Sequence, residues 1–437
     1  MRAGLGLLLF LACFYKLTLS AALEELGGDE TTDIAGSYDQ SFGDLLLHGP
    51  HMELNTSPLH YLLGRAWINS WNRAPQLHWD SRIFFRVLPM AWWSLLAVVL
   101  FLFLLRLLEK FKWRPEISYV AAFSASIFLF SRHFPTYYAI LSRPYSLWLL
   151  LTFLHLLAFL RLYEKNCSRK DKYAFLALCL ALPFTAFVSA AQVAVAMAVL
   201  FIFPPGGRAR SFFGSGAPLL CSALIGGWYL LQLRPGNAGG SRIDGVLMAF
   251  LDILAVSTQP YTSSFFAERN LDANWATASG FNRLWAFVVI IIPAYSWWRR
   301  PMLRPFLAFA YVLIISLGAI ALVLALKGQV IGHSRYLLFL FPFFTGLLFI
   351  SVYELASLAS KAKATPILLT GLSAILAAQA VNIAVTDVRG NLSHHSDLLT
   401  RSFYWQTPKE SCPANLAFLR NGKQGIETES LLALCRP

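Results

Sequence analysis

Two adjacent carboxylates, Asp29 and Glu30, stand just before a stretch with helical spacing, and Asp33 follows about one turn on. A carboxylate at a water–lipid boundary can act as a general base. Taking the proton from an attacking hydroxyl is worth about 10²–10⁴ in rate. Two arginines, Arg143 in SRPYSLWLL and Arg335 in HSRYLLFLFP, each open an apolar block and are followed by Tyr145 and Tyr336. Guanidinium is a planar fork suited to phosphate. Plainer roles exist for every one of these groups. Acids before a helix stabilise its N-terminus, arginines at the ends of membrane helices reach for the interface, and tyrosines collect at the same level. Residue type alone leaves both readings open. Arg132 and His133 also sit at a block end and could replace either arginine.

The elements that must hold these groups are helices in a bilayer. Apolar residues are 57% of the 437-residue chain and charged residues 14%, against roughly 25% charged in a soluble domain. That excludes an ordinary soluble enzyme, a disordered chain and a small disulfide-rich secreted domain. The apolar residues fall in blocks near the roughly 20 residues that cross a membrane. Blocks lie at residues 5–21, 86–107, 117–130, 144–160, 173–188, 190–203, 217–233, 281–298, 305–326, 336–355 and 365–385. The fold class is therefore all-α and polytopic, with eleven expected crossings.

The net charge of +13 does not point to nucleic acid. Its basic residues occupy short loops: Arg106, Lys110, Lys112 and Arg114; Arg161, Lys165, Arg169, Lys170 and Lys172; Arg208 and Arg210; Arg299, Arg300 and Arg304; Lys361 and Lys363. Short cationic loops stay cytoplasmic. The continuous run 173–203 has basic loops at both ends, so it must cross an even number of times. Two short helices turning near Ser189 to Gln192 meet that demand. The N-terminus then lies inside and the C-terminus outside. Residues 1–385 form a membrane domain with outer loops 22–85 and 232–280, and residues 386–437 form a short outer tail.

Loop 22–85 gathers nine of the chain's 23 acids and carries two amphipathic patterns. Ile34, Tyr38, Phe42, Leu45 and Leu46 make one; Leu59, Leu62, Leu63, Ala66 and Trp67 make the other. Ser57-Pro58 is a start signal for the second. Both are predicted to be helices lying on the outer membrane face. Cys412 and Cys435 share the outer tail and are a disulfide candidate in an oxidising compartment. His48, His51 and the pair His394-His395 match no strong ligand pattern, so neither a metal nor another cofactor is expected. No phosphate-binding glycine loop or HExxH motif occurs.

In four stretches the chain resembles the GT-C membrane glycosyltransferases, in the branch of the protein O-mannosyltransferases and the lipid A aminoarabinose transferases. They are GGDETTDIAGSYDQSFGDLLL, TSPLHYLLGRAW, SRIFFRVLP, and the pair SRPYSLWLL and HSRYLLFLFP. Their order along the chain matches the family. Thr56-Ser57-Pro58 stands where the family usually has His-Pro-Pro, and the tail is shorter than in several members. The resemblance implies an inverting transfer of a sugar from a polyprenyl-phosphate-linked donor. The acceptor would be a hydroxyl of a glycolipid, glycan or protein on the non-cytoplasmic face. It further implies Asp29 as base with Glu30 as its neighbour, Asp33 as the next candidate, and Arg143 and Arg335 as holders of the donor phosphate, supported by Tyr145 and Tyr336. Its compact length favours a bacterial inner membrane with a periplasmic site, the endoplasmic reticulum being the alternative. Other readings are a lipid-linked-sugar flippase or an outer-face polysaccharide ligase. The expected partners are the lipid-linked donor, the acceptor and membrane lipids, with no nucleic acid.

Overall fold

The computed structural model describes residues 2–23, 41–48, 58–71, 81–111, 115–131, 138–164, 167–186, 188–205, 217–231, 243–258, 278–326, 334–359, 371 and 373. The described residues are helical, with no strand among them. Apolar side chains cover these helices on every side, which suits a core or a bilayer rather than water. Five described segments are long and apolar enough to span a membrane: Arg2–Ala21, Val87–Lys110, Tyr145–Leu162, Pro301–Gly318 and Leu337–Leu355. The chain is an all-α, multi-pass membrane protein. The block at 365–385 lies outside the described residues apart from two positions.

The elements follow the apolar blocks closely. They are α1 (Arg2–Leu23), α2 (Phe42–His48), α3 (Leu59–Trp71), the single turn α4 (Ser81–Phe84), α5 (Val87–Lys110), α6 (Pro115–Ser131) and α7 (Tyr145–Leu162). After them come α8 (Arg169–Thr185), α9 (Ser189–Ile202), α10 (Ala217–Leu231), α11 (Ile243–Thr258), α12 (Gly280–Arg299), α13 (Arg304–Leu326) and α14 (Phe341–Ala359). Helix α5 is central: it packs on α1, α6, α7 and α14.

One end of the bundle gathers the basic loops. Arg2 donates to Tyr119 Oη at 2.5 Å and pairs with Glu109 at 3.3 Å. The chain of ion pairs continues from Glu109 to Arg106 (3.0 Å), Glu164 (3.3 Å), Arg161 (2.8 Å) and Asp171 (3.4 Å). A capping box of Ser168 and Asp171 starts α8 here. On the other side of α5, Arg300 pairs with the fully buried Glu354 and lies 4.1 Å over the Phe111 ring. The ends that the charge rule assigns to one side thus meet in one layer.

The run 173–203 folds as a helical hairpin, but α8 ends at Thr185 and α9 begins at Ser189, earlier than the polar residues suggest. Those residues serve another purpose. Ser189 and Gln192 are buried on α9 facing α7, where Trp148 Nε1 donates to Ser189 Oγ at 2.6 Å. Thr152 reaches Gln192 at 3.5 Å, and Gln192 meets His155 Nδ1 at 3.1 Å. Cys179 lies 3.6 Å from His155 Nε2. Polar groups away from water need partners, and here they pair into a seam between helices.

The segment 232–280, read from sequence as an outer loop, contains α11. This helix packs on α12, α13, α14 and the 3₁₀ segment Ser334–Leu340, and buries Asp252 to 1% exposure.

Core packing is tight where α14 crosses α5 and α13. A Cβ on Gly346 would collide with the Phe306 ring and stand 3.2 Å from Phe103. Both rings are fully buried, with centroids 5.9 Å apart, so neither can yield. Overpacking costs about 1–3 kcal/mol, more than the roughly 1 kcal/mol alanine gains over glycine in a helix. Gly346→Ala should therefore lower the melting temperature in detergent, whereas Gly318→Ala, with nothing within 4 Å of its added Cβ, should not. Equal melting of the two variants would contradict this packing.

Candidate functional site

At the end opposite the ion-pair layer, four chain segments are tied by hydrogen bonds that span long sequence separations. Arg86, just before α5, is 1% exposed, and its guanidinium donates to the Ala21 carbonyl at the end of α1 at 3.0 Å. One residue earlier, the Phe85 carbonyl accepts from Ser142 Oγ at 3.0 Å. One earlier still, the Phe84 carbonyl accepts from Trp67 Nε1 of α3 at 3.1 Å. Three successive residues thus anchor α1, the corner before α7, and surface helix α3.

The corner before α7 carries Arg143. Its backbone N–H closes a tight turn onto the Leu141 carbonyl at 2.7 Å. Pro144 then fits the helix start, its carbonyl accepting from Trp148 N at 2.8 Å. Arg143 is only 5% exposed, and its guanidinium lies 5.5 Å over the ring of Tyr145. Tyr145 meets Tyr138 edge to face at 5.3 Å. An arginine simply reaching for the interface would be exposed. This one is held inside a corner built from aromatic rings and backbone.

Helix α3 places His60 beside that corner. His60 is 6% exposed, bonded to the backbone of Ser142, and lies within reach of the Arg143 charge. Burial, seconded by Arg143, pushes its pKa down to about 4. The bond to Ser142 acts in the other direction, as a carbonyl acceptor does. On α3 it is His60, Tyr61 and Ile68 that face the protein, while Leu59, Leu62, Leu63 and Trp67 are half-buried and Ala66 exposed. The apolar stripe seen in the sequence is therefore largely a second, half-buried face.

Arg335 and Tyr336 fall in the 3₁₀ segment Ser334–Leu340. That segment packs on the start of α7, with Phe339 stacked on Trp148 at 5.2 Å. The backbone thus brings the Arg335 segment to the same end as Arg143; the side chains of Arg335 and Tyr336 lie outside the described residues. So do Asp29, Glu30, Asp33, Cys412 and Cys435. The described cysteines Cys13, Cys167, Cys179 and Cys221 are free thiols. Among the described residues no cluster of three metal-ligating side chains occurs.

The sequence pattern gives no role to Arg86, Asp252 or His60. One signal was available. A lone ionisable residue inside an apolar run, as in FFRVLP or FLDIL, is costly in a membrane and marks a constrained place.

No family model matches the sequence, and no curated protein matches it. Among solved structures the chain is similar to ArnT from Cupriavidus metallidurans bound to undecaprenyl phosphate. The identity is 14%, the TM-score 0.49, and the alignment covers 98% of this chain and 76% of that chain.

His60 makes stability depend on pH. Its folded pKa lies below the ordinary value, so its contribution is whole above about pH 6.5 and is lost as pH falls toward 4. Within that window the loss is about 1.4 kcal/mol per pH unit. The melting temperature should drop between pH 6.5 and 4, and His60→Gln should flatten part of that drop. An unchanged slope would remove His60 from this role.

Proposed function

We propose that this chain is an inverting glycosyltransferase of the bilayer, moving a sugar from a polyprenyl-phosphate-linked donor to a hydroxyl on the non-cytoplasmic face. The observation that carries the reading is the corner holding Arg143: a buried guanidinium over the Tyr145 ring, on a turn braced by hydrogen bonds, at the end of the bundle opposite the basic loops. A lipid-linked phosphate enters from the membrane with its head at that level. Arg143 and Arg335 hold it. On attack, the hydroxyl oxygen bonds to the anomeric carbon, the bond from that carbon to the phosphate oxygen breaks, and the electron pair leaves with the phosphate. The leaving group needs cations rather than a proton. Asp29 takes the hydroxyl proton, with Glu30 orienting it or pairing with it. Arg86 fixes the last turn of α1, from which the segment bearing Asp29 departs.

The acceptor is a glycolipid, a glycan or a protein, and the membrane a bacterial inner membrane with the site in the periplasm. Comparing glycolipids and glycans by mass spectrometry from cells with and without the protein would show the missing sugar and its acceptor together.

In a purified assay Asp29→Asn should abolish transfer while the protein still folds and inserts. Near-normal transfer would remove Asp29 as base. Arg143→Ala should raise the KM for the lipid donor at least about tenfold, the scale of one charge-assisted phosphate contact. An unchanged KM would leave interfacial anchoring as its role.

A further inference from the structure

His60 is an unusual neighbour for a phosphate-holding arginine. It is nearly as buried as Arg143, and the backbone of Ser142, next to Arg143, fixes its ring. Tyr61 meets the ring edge to face at 5.4 Å. Two groups able to carry positive charge thus share one buried corner, and each disfavours charge on the other.

Among the described residues, the other charged groups on α3 and the helices packed on it have contacts of their own. Arg65, on the same helix, lies 5.6 Å over the Phe42 ring of α2. Asp44 of α2 is exposed and accepts from Ser41 Oγ at 2.6 Å. Helix α8 also packs on α3, but its charged residues, Arg169 to Lys172, stand at the opposite end of the bundle. Its remaining titratable group toward this end is Cys179, beside His155. Among the described residues, Arg143 is the one whose charge bears on His60.

We propose that His60 is a binding residue for the spent lipid phosphate. It is neutral while the donor's single charge faces Arg143 and becomes the second cation of the site when the leaving group forms there. This rests on the glycosyltransferase reading. The donor is a phosphodiester with one negative charge. Breaking the bond to the sugar turns it into a monoester, whose second ionisation is near pH 6, so it carries about one further charge at neutral pH. The hydroxyl proton goes to the Asp29 carboxylate. His60 takes its proton from water as the charge on phosphate doubles, and returns it when the lipid phosphate departs. An anion within about 4–6 Å raises such a group by about 1–3 pKa units, which carries a histidine starting near 4 toward neutrality. The site thus binds product and donor by different charges, and the product's grip weakens as pH rises.

The test uses the full chain in nanodiscs. The probes are a polyprenyl monophosphate and its methyl phosphodiester, and the proteins are wild type, His60→Gln and Arg143→Ala. Wild type should bind the monoester more tightly than His60→Gln at pH 6, by about twofold for a rise of 2 units and about tenfold for 3, with the gap closing to none at pH 8. The ratio cancels the titration of the ligand itself. For the diester the gap should be smaller. Binding that depends on Arg143 but shows the same pH dependence with and without His60 overturns this inference alone. Failure of wild type to bind either probe, or binding unaffected by Arg143→Ala, overturns the lipid-phosphate reading and this inference with it. Should His60→Gln not fold, calorimetry of wild type in two buffers of different ionisation enthalpy reads the same event. With a rise of about 3 units, at the upper end of that range, a net uptake of nearly half a proton at pH 7 is expected on monoester binding, and no uptake overturns the proposal.

Discussion

A guanidinium cannot lose its charge, so a fully buried one must be given acceptors. Arg86 sets this demand at one end of the bundle. The Ala21 carbonyl answers it from the last turn of α1, where helix carbonyls have no partners within the helix. The two residues before Arg86 then present their own carbonyls to Ser142 and Trp67. One buried charge and two adjacent carbonyls therefore fix the relative position of α1, α3, α5 and α7. The corner with Arg143 inherits its geometry from this arrangement, and His60 inherits its position from α3.

The opposite end is built on a different principle. There the acids and bases are partly exposed and linked in a chain from Arg2 to Asp171. Each such pair is worth little by itself. Their value lies in joining the ends of α1, α5, α6, α7 and α8 into one layer. Glu354 is the exception, buried completely between Arg299 and Arg300. The bundle thus has a wet, charge-stitched end and an end where charge is enclosed. The candidate chemistry belongs to the second.

Much of the fold was legible because a bilayer imposes length and apolarity on each crossing helix. The basic loops at both ends of residues 173–203 correctly required a hairpin. Its turn was misplaced because Ser189 and Gln192 look like turn residues locally. In fact they answer Trp148, Thr152 and His155 about forty residues away. Helix α11 was hidden for a similar reason: two aspartates, Asp244 and Asp252, interrupt a short apolar run between Gly- and Pro-rich stretches. Arg143 and the Arg335 segment were placed at one end from their positions before apolar blocks, and the backbone brings them there. What no local pattern could give is the bracing of that end, because Arg86 to Ala21 and Ser142 to Phe85 join residues 65 and 57 apart.

The polar seam between α7 and the α8–α9 hairpin makes the hairpin reliant on its neighbour. Helices of 17 and 14 residues are short for a bilayer, and each carries hydrogen-bonding groups that lipid cannot satisfy. They gain partners only once α7 is in place beside them. The hairpin is therefore a dependent element: without α7 the side chains of Ser189 and Gln192 would lose the indole, hydroxyl and imidazole that they meet there.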